Sequence, residues 1–463
     1  MLGASCPAAR LNITSSRRPS WAAHDVNIFP GSSCATAMEQ EIIEVAGAAG
    51  LTSLENVPGR KVMTISRRGL LGTAAAFSYL PLARAEVAAI KIGQMNDGQT
   101  DDPDQHIYVN QAVAEFTAGK DLTVAVLQAN HQNKPEVGVA IARKWFDEDG
   151  VDAILNVPIS SVALAVSAIC REKNKVALFS GAGSSDLTGK QCSPNTVQWT
   201  FDSYMLANVI GGAITKAGGQ SWFFILPDYS FGHLLVSETS RFVEAAGGKV
   251  LGSATFPFPD TPTDFSAQLQ QAQQSGATVL GLCSFGSDLR NTIKQARSMG
   301  LNRTMRFAAF VMFASSAPIL GLEAAQGLLL TETFYRDLNS RTRAFTDRIR
   351  PKKPNDIPAS LEAGNYAATL HYLKAVADMG VASAKADGAA VVARMKAMPS
   401  DDDCFGPGRI REDGRKLHPA YLFQVKTPAE STGAWDLLKL VATTPAEQAF
   451  RPLSEGGCPL VKS

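Results

Sequence analysis

From Ile90 onward, short runs of β-branched and aromatic residues alternate with longer segments whose apolar positions recur every three or four residues. The runs are Ile90–Met95, Leu122–Gln128, Val151–Val157 and Val176–Ser180, followed by Trp222–Leu226, Lys249–Phe256, Thr278–Phe285 and Arg306–Met312. Helical patterns fall between them at Glu136–Asp149, Val162–Asn174, Leu206–Ala217, Gly232–Ala246, Phe265–Ser275 and Asp288–Met299. Continuously apolar strands separated by helices predict parallel sheets covered on both faces. The series pauses near Trp199–Tyr204, so the pattern predicts two α/β units in succession with a crossing there.

After Gly327–Phe334 the pattern changes. A charged stretch and a Pro-rich segment lead into predicted helices at Glu362–Met379 and Ala386–Met398. Arg409–Arg411 and Tyr421–Lys426 flank the turn Glu412-Asp413-Gly414, a hairpin signal. These elements are too few for a third domain and are expected to return and complete the two earlier lobes. The expected division is residues 86–201 plus 334–423 for lobe 1 and 202–333 plus 424–463 for lobe 2.

The first 85 residues read differently. Ser66-Arg67-Arg68-Gly69-Leu70-Leu71 puts paired arginines before an apolar stretch that ends in Ala83-Arg84-Ala85. A charged start, an apolar middle and an A-x-A site describe a cleavable export signal, here 63–85, of the twin-arginine type or the general secretory type. Both end outside the cytoplasm, and a periplasmic location by the twin-arginine route is expected. Residues 1–62, without sustained periodicity, are expected to be a disordered leader or an overextended start.

The chain has 463 residues, 45% of them hydrophobic, enough to bury large cores. With 44 Lys plus Arg against 43 Asp plus Glu, it has no global basic field for nucleic acid. Cleavage after Ala85 would leave Cys170, Cys192, Cys283, Cys404 and Cys458, which allow up to two bridges and leave the pairing open. The six histidines show no metal-ligand spacing, and neither a GxSxG elbow nor a phosphate-binding loop occurs, so neither catalysis nor a cofactor is expected.

In open α/β sheets ligands bind at the carboxyl ends of strands. That rule selects Asn96-Asp97-Gly98, Pro158-Ile159-Ser160-Ser161 and Gly181-Ala182-Gly183-Ser184-Ser185-Asp186 from the first unit. From the second it selects Asp228-Tyr229-Ser230-Phe231-Gly232, Phe285-Gly286-Ser287-Asp288 and Phe310 to Phe313. Ser160 and Ser161 either only cap the following helix or also hold a carboxylate with its free amides. The turn Gly181-Ala182-Gly183 exposes backbone amides to a small ligand. Phe231, Phe285 and Phe310 are ordinary core residues by type, and their strand-end positions make them binding candidates.

The order and spacing of Ile90-Lys-Ile-Gly, Ser160-Ser161, Phe179-Ser-Gly-Ala-Gly-Ser-Ser-Asp-Leu-Thr188, Asp228-Tyr-Ser-Phe-Gly232, Thr263-Asp-Phe-Ser266, Gln295-Ala-Arg-Ser-Met-Gly300 and Gln326-Gly-Leu-Leu carry a family likeness. Over 88 to about 440 the chain resembles type I periplasmic solute-binding proteins of the branched-chain amino-acid ABC transporter class. The resemblance implies two Rossmann-like lobes joined by a three-strand hinge, which closes on a ligand in the cleft. It also implies a monomer that delivers the ligand to an inner-membrane ABC permease.

The resemblance places the α-carboxylate of a leucine-like ligand on Ser160 and on Gly181, Ala182 and Gly183. It places polar groups or an acid for the α-ammonium where Phe231, Phe285 and Phe310 stand here. A desolvated ammonium without such partners loses several kcal/mol of compensation, so the expected ligand is a hydrophobic or aromatic carboxylic acid. Asp97 or Asp288 could still take an amine, which keeps a branched-chain-type amino acid as the runner-up. A sensing receptor on the same fold and a periplasmic enzyme are the remaining alternatives.

Overall fold

The computed structural model describes residues 90–97 and 104–462. The leader and export-signal readings fall outside the described residues. Five strands form the first sheet: β1 (Ile90–Asn96), β2 (Val124–Asn130), β3 (Ala153–Asn156), β4 (Val176–Phe179) and β5 (Thr196–Gln198). Their order is β2-β1-β3-β4-β5, and every pairing is parallel. In β3 and β4 every residue is buried, as expected for a sheet covered on both faces.

Alternation of side chains along the strands divides the core in two. Ile92, Leu155 and Leu178 pack with Tyr108 and Val109 of the helix His106–Thr117 and with Tyr366 and Leu373 of the helix Ser360–Met379. Ile154, Ala177 and Phe179 point the other way, against Trp145 and against Val162 and Val166 of the helix Ser160–Glu172.

The second sheet has seven strands. They are β6 (Ser221–Pro227), β7 (Lys249–Phe256), β8 (Val279–Leu282), β9 (Arg306–Ala309), β10 (Leu329–Glu332), β13 (Ala420–Val425) and β14 (Leu438–Thr444), in the order β14-β13-β10-β9-β8-β6-β7. β6 to β10 are parallel, but β13 and β14 are antiparallel to their neighbours, so this sheet is mixed. The expected hairpin forms with a different partner. β11 (Arg409–Ile410) pairs with β12 (Lys416–Leu417), while Tyr421 onward joins the second sheet. Gly414, at φ +90°, makes the turn, and a Cβ there would meet the Thr196 carbonyl at 2.5 Å. The chain therefore joins the second sheet with β13, from Ala420 on.

The crossings lie side by side. Fully buried Arg415 donates to the carbonyls of Thr200 and Phe201 and pairs with Asp202 at 3.4 Å. His418 Nε2 lies 3.0 Å from the carbonyls of Trp199 and Thr200. Removing Asp202 would leave the buried guanidinium with only the more distant Asp413 carboxylate and backbone carbonyls as compensation. Cys192 is bridged to Cys458, tying the loop before β5 to the C-terminal segment, and Cys170, Cys283 and Cys404 are free and buried. No helix among the described residues is long and apolar enough to cross a membrane.

Candidate functional site

The carboxyl ends of β1, β3, β4, β6, β8 and β9 converge on one cavity between the two sheets. Asn156, which ends β3, and Val157, which follows it, have φ of +78° and +52°. That conformation is costly for a β-branched residue and is held by its surroundings. Asn156 Nδ2 lies 2.7 Å from Gln105 Oε1, 2.9 Å from Asn96 Oδ1 and 3.2 Å from the Met95 carbonyl. The kink turns Pro158 and Ser160 into the cavity.

The helix Ser160–Glu172 begins there with extended Ile159 at its cap position, and no side chain caps it. Ser160 is therefore the first helical residue, not its cap. The first helical amides have no carbonyl four residues earlier to bond, so they carry the partial positive charge that favours an anion. Gly181 and Gly183 complete this end of the cavity. Space dictates both: a Cβ at 181 would stand 2.8 Å from Asn156 Oδ1 and from Pro158 Cα, and one at 183 would stand 2.6 Å from Phe231.

The opposite wall is aromatic. Tyr229, Phe231, Phe285 and Phe313 line it, with Phe201 from the first crossing and the aliphatic side chains of Val311 and Leu361. Tyr229 stacks on Phe258 with ring centres 4.5 Å apart, Phe258 meets Phe285 edge to face at 6.0 Å, and Phe313 packs on Phe201 at 5.6 Å. Such rings hold one another in place.

Among the described lining residues Asp97 is the sole charged one. It is almost fully buried, and burial together with this carboxylate pushes the Tyr229 phenol well above its ordinary value. The cavity measures about 40 Å³. Small-molecule pockets commonly hold roughly 300 Å³ or more, so a ligand enters only if the walls separate. A larger depression of about 590 Å³ lies at the amino ends of β9 and β10, away from these loops.

Asp97, Ser160, Gly181, Gly183, Phe231 and Phe285 thus meet at one cavity, and Ser161, Ala182 and Phe310 do not line it. Ser161 is the next residue along the helix and is half-buried. Ala182 is fully buried, and its carbonyl accepts a hydrogen bond from Gln198 Nε2 at 2.9 Å. Phe310 continues the alternation of β9 onto the face of Ala308 and packs 6.4 Å from both Trp222 and Phe224 in the core. Asp288 is buried at the start of the helix Gly286–Ser298, and burial raises its pKa, but it is outside the cavity wall. Pro158, Phe201, Tyr229, Val311, Phe313 and Leu361 also line the cavity, although no sequence feature marks them individually. Tyr229 and Phe313 fall within loops chosen by the strand-end rule, whereas Phe201 and Leu361 come from crossings that the rule does not reach.

A family model described as periplasmic binding protein matches residues 101–434. A periplasmic binding protein from Burkholderia mallei is 39% identical, with a TM-score of 0.76 over 81% of this chain and 100% of that one. A branched-chain amino-acid ABC transporter periplasmic ligand-binding protein from Burkholderia xenovorans is 33% identical, with a TM-score of 0.70 over 80% and 99% of the two chains. The Leu/Ile/Val-binding protein homolog 6 of Brucella suis is 25% identical over 254 residues, 52% of this chain. The match spans 62% of that curated relative's length.

Proposed function

The chain belongs to the periplasmic binding protein family, in its type I, branched-chain amino-acid ABC transporter form, and on that premise we propose that it captures a small apolar carboxylate and delivers it to an ABC permease. The observation that carries this reading is the polarity of the cavity. The uncapped start of the helix Ser160–Glu172 faces a cage of aromatic rings, with no arginine or lysine among the described lining residues. Backbone amides would hold the carboxylate and the rings would hold a hydrophobic or aromatic body. Ser160, Gly181 and Gly183 are assigned to the first task and Tyr229, Phe231, Phe285 and Phe313 to the second. Among the described residues, the elements of the first sheet up to about 201, with those from about 334 up to β13, are assigned to one lobe, and the elements of the second sheet to the other. Closure of the lobes traps the ligand, and export runs by the twin-arginine route.

One residue favours a second reading. Asp97 lies in the cavity, where it would match the ammonium of a zwitterion and oppose a bare carboxylate. A branched-chain or aromatic amino acid is therefore the alternative. A thermal-shift screen of benzoate-like acids against leucine, isoleucine and valine separates the two. A ligand present at about a hundred times its Kd adds roughly 2.7 kcal/mol of stability. Stabilisation by the acids supports the first reading, and stabilisation by the amino acids alone replaces it with the second.

A further inference from the structure

We propose that the Glu238 carboxyl is a protonatable latch between the two walls of the cleft, so that closure takes up a proton. The inference rests on the reading of the cleft as a hinged trap. Glu238 belongs to the helix Ser230–Ala245, which follows β6 of the second sheet and whose Phe231 lines the cavity. Ser185 belongs to the turn after β4 of the first sheet, two residues beyond the cavity-lining Gly183. Ser185 Oγ donates to Glu238 Oε1 at 2.7 Å, with both residues buried. This bond therefore joins one wall of the cleft directly to the other.

The groups around the carboxyl are few. From the first crossing, Asp202 and the Ser203 hydroxyl face it. From the C-terminal segment, Arg451 Nη1 stands 4.0 Å away, while Arg451 Nη2 donates to the Ser185 carbonyl at 2.7 Å. Tyr204 lies close enough to feel its charge. Farther out, Arg241 pairs with Glu455 at 3.8 Å. The Asp202 carboxylate is itself paired with buried Arg415. Besides the Ser185 and Ser203 hydroxyls, the Arg451 guanidinium at 4.0 Å is the cation that compensates this buried charge, which lies next to a second carboxylate.

Burial is the largest influence on Glu238, and Asp202 adds to it, lifting the carboxyl from 4.5 to about 7 against the hydroxyls and Arg451. Separation of the walls would break the Ser185 bond and admit water, returning the carboxyl toward its ordinary value. The closed form then binds more protons than the open form between those two values. A carboxyl at about 7 when closed and 4.5 when open changes the closed-to-open ratio by up to roughly thirtyfold between about pH 8 and about pH 5.5, in favour of closure at the lower pH.

Small-angle X-ray scattering of the ligand-free protein reads this directly and does not depend on which ligand the cleft takes. At about pH 5.5 the wild type is expected to have a smaller radius of gyration than at about pH 8. Glu238→Gln keeps an acceptor for Ser185 without the charge, so it is expected to stay compact at both. Ser185→Ala, which keeps the carboxyl and removes the bond, is expected to be more open than wild type at about pH 5.5. A wild type of constant size, a pH response undiminished in Glu238→Gln, or a Ser185→Ala protein as compact as wild type would each overturn the latch. Failure of every ligand in the thermal-shift screen would leave this comparison unaffected.

Discussion

Replacing Gly183 by alanine adds one methyl group where the first wall meets Phe231 of the second. Its Cβ would stand 2.6 Å from Phe231 Cε2, 3.2 Å from Phe231 Cζ and 2.9 Å from Phe201 Cε2. Neither ring can swing away cheaply, because both are buried and Phe201 is held against Phe313. The backbone cannot retreat either, since the Gly183 carbonyl accepts from the Ser203 amide at 2.7 Å. Inserting a methyl into a packed contact costs about 1–3 kcal/mol. Gly183 follows β4 of the first sheet and Phe231 starts the helix after β6 of the second, so most of the clash exists only with the walls together. Ligand affinity is therefore expected to fall about 5- to 150-fold, while the melting temperature of the ligand-free protein changes little. Calorimetric titration paired with thermal melting checks this. An unchanged affinity would refute the assignment of this contact to the closed cleft, and an equally large loss in ligand-free stability would place the clash within one lobe.

Asp97→Asn tests the choice of ligand. If the ligand is a bare carboxylate, removing a like charge from the same cavity relieves a repulsion on the order of 1–2 kcal/mol, and fluorescence titration should show about tenfold tighter binding. If an ammonium is bound, affinity should drop instead. Phe313→Ala removes a ring from the wall and should weaken binding by about 1.5–3 kcal/mol, read as a higher Kd; no change would exclude Phe313 from the ligand's surroundings. Cys458→Ser opens a disulfide spanning 266 residues. The chain-entropy model gives up to about 5.6 kcal/mol of lost stability, measured by urea denaturation, and a variant as stable as wild type would contradict that contribution.

Much of the fold is written in local pattern, because a strand buried on both faces needs a continuous apolar run and the helix after it needs one apolar stripe. Val176-Ala177-Leu178-Phe179 and Val279-Leu280-Gly281-Leu282 show this plainly. The antiparallel edge was harder to see. Tyr421 onward has strand composition, but its partner, β10, is about ninety residues earlier, and no turn signal links them. The same distance problem hides the Cys192–Cys458 bridge and the meeting of Phe201 with Phe313.

Phe310 shows the opposite failure. Its position at a strand end was legible, but the side to which its ring points depends on the register of β9, and that register sends it into the core. Asn156 is of a type that tolerates positive φ, but nothing in the sequence marks the β-branched Val157 for it. Tertiary partners distant in sequence, Gln105, Asn96 and the Met95 carbonyl, hold Asn156 in that conformation.

The most direct test of the central claim is a crystal structure of the protein soaked or grown with benzoate. The expected result is a closed cleft with the carboxylate against the first turn of the helix Ser160–Glu172 and the amides of Gly181 and Gly183, and the ring between Tyr229, Phe285 and Phe313. An empty cleft under saturating benzoate, or a carboxylate bound away from that helix start, would contradict it.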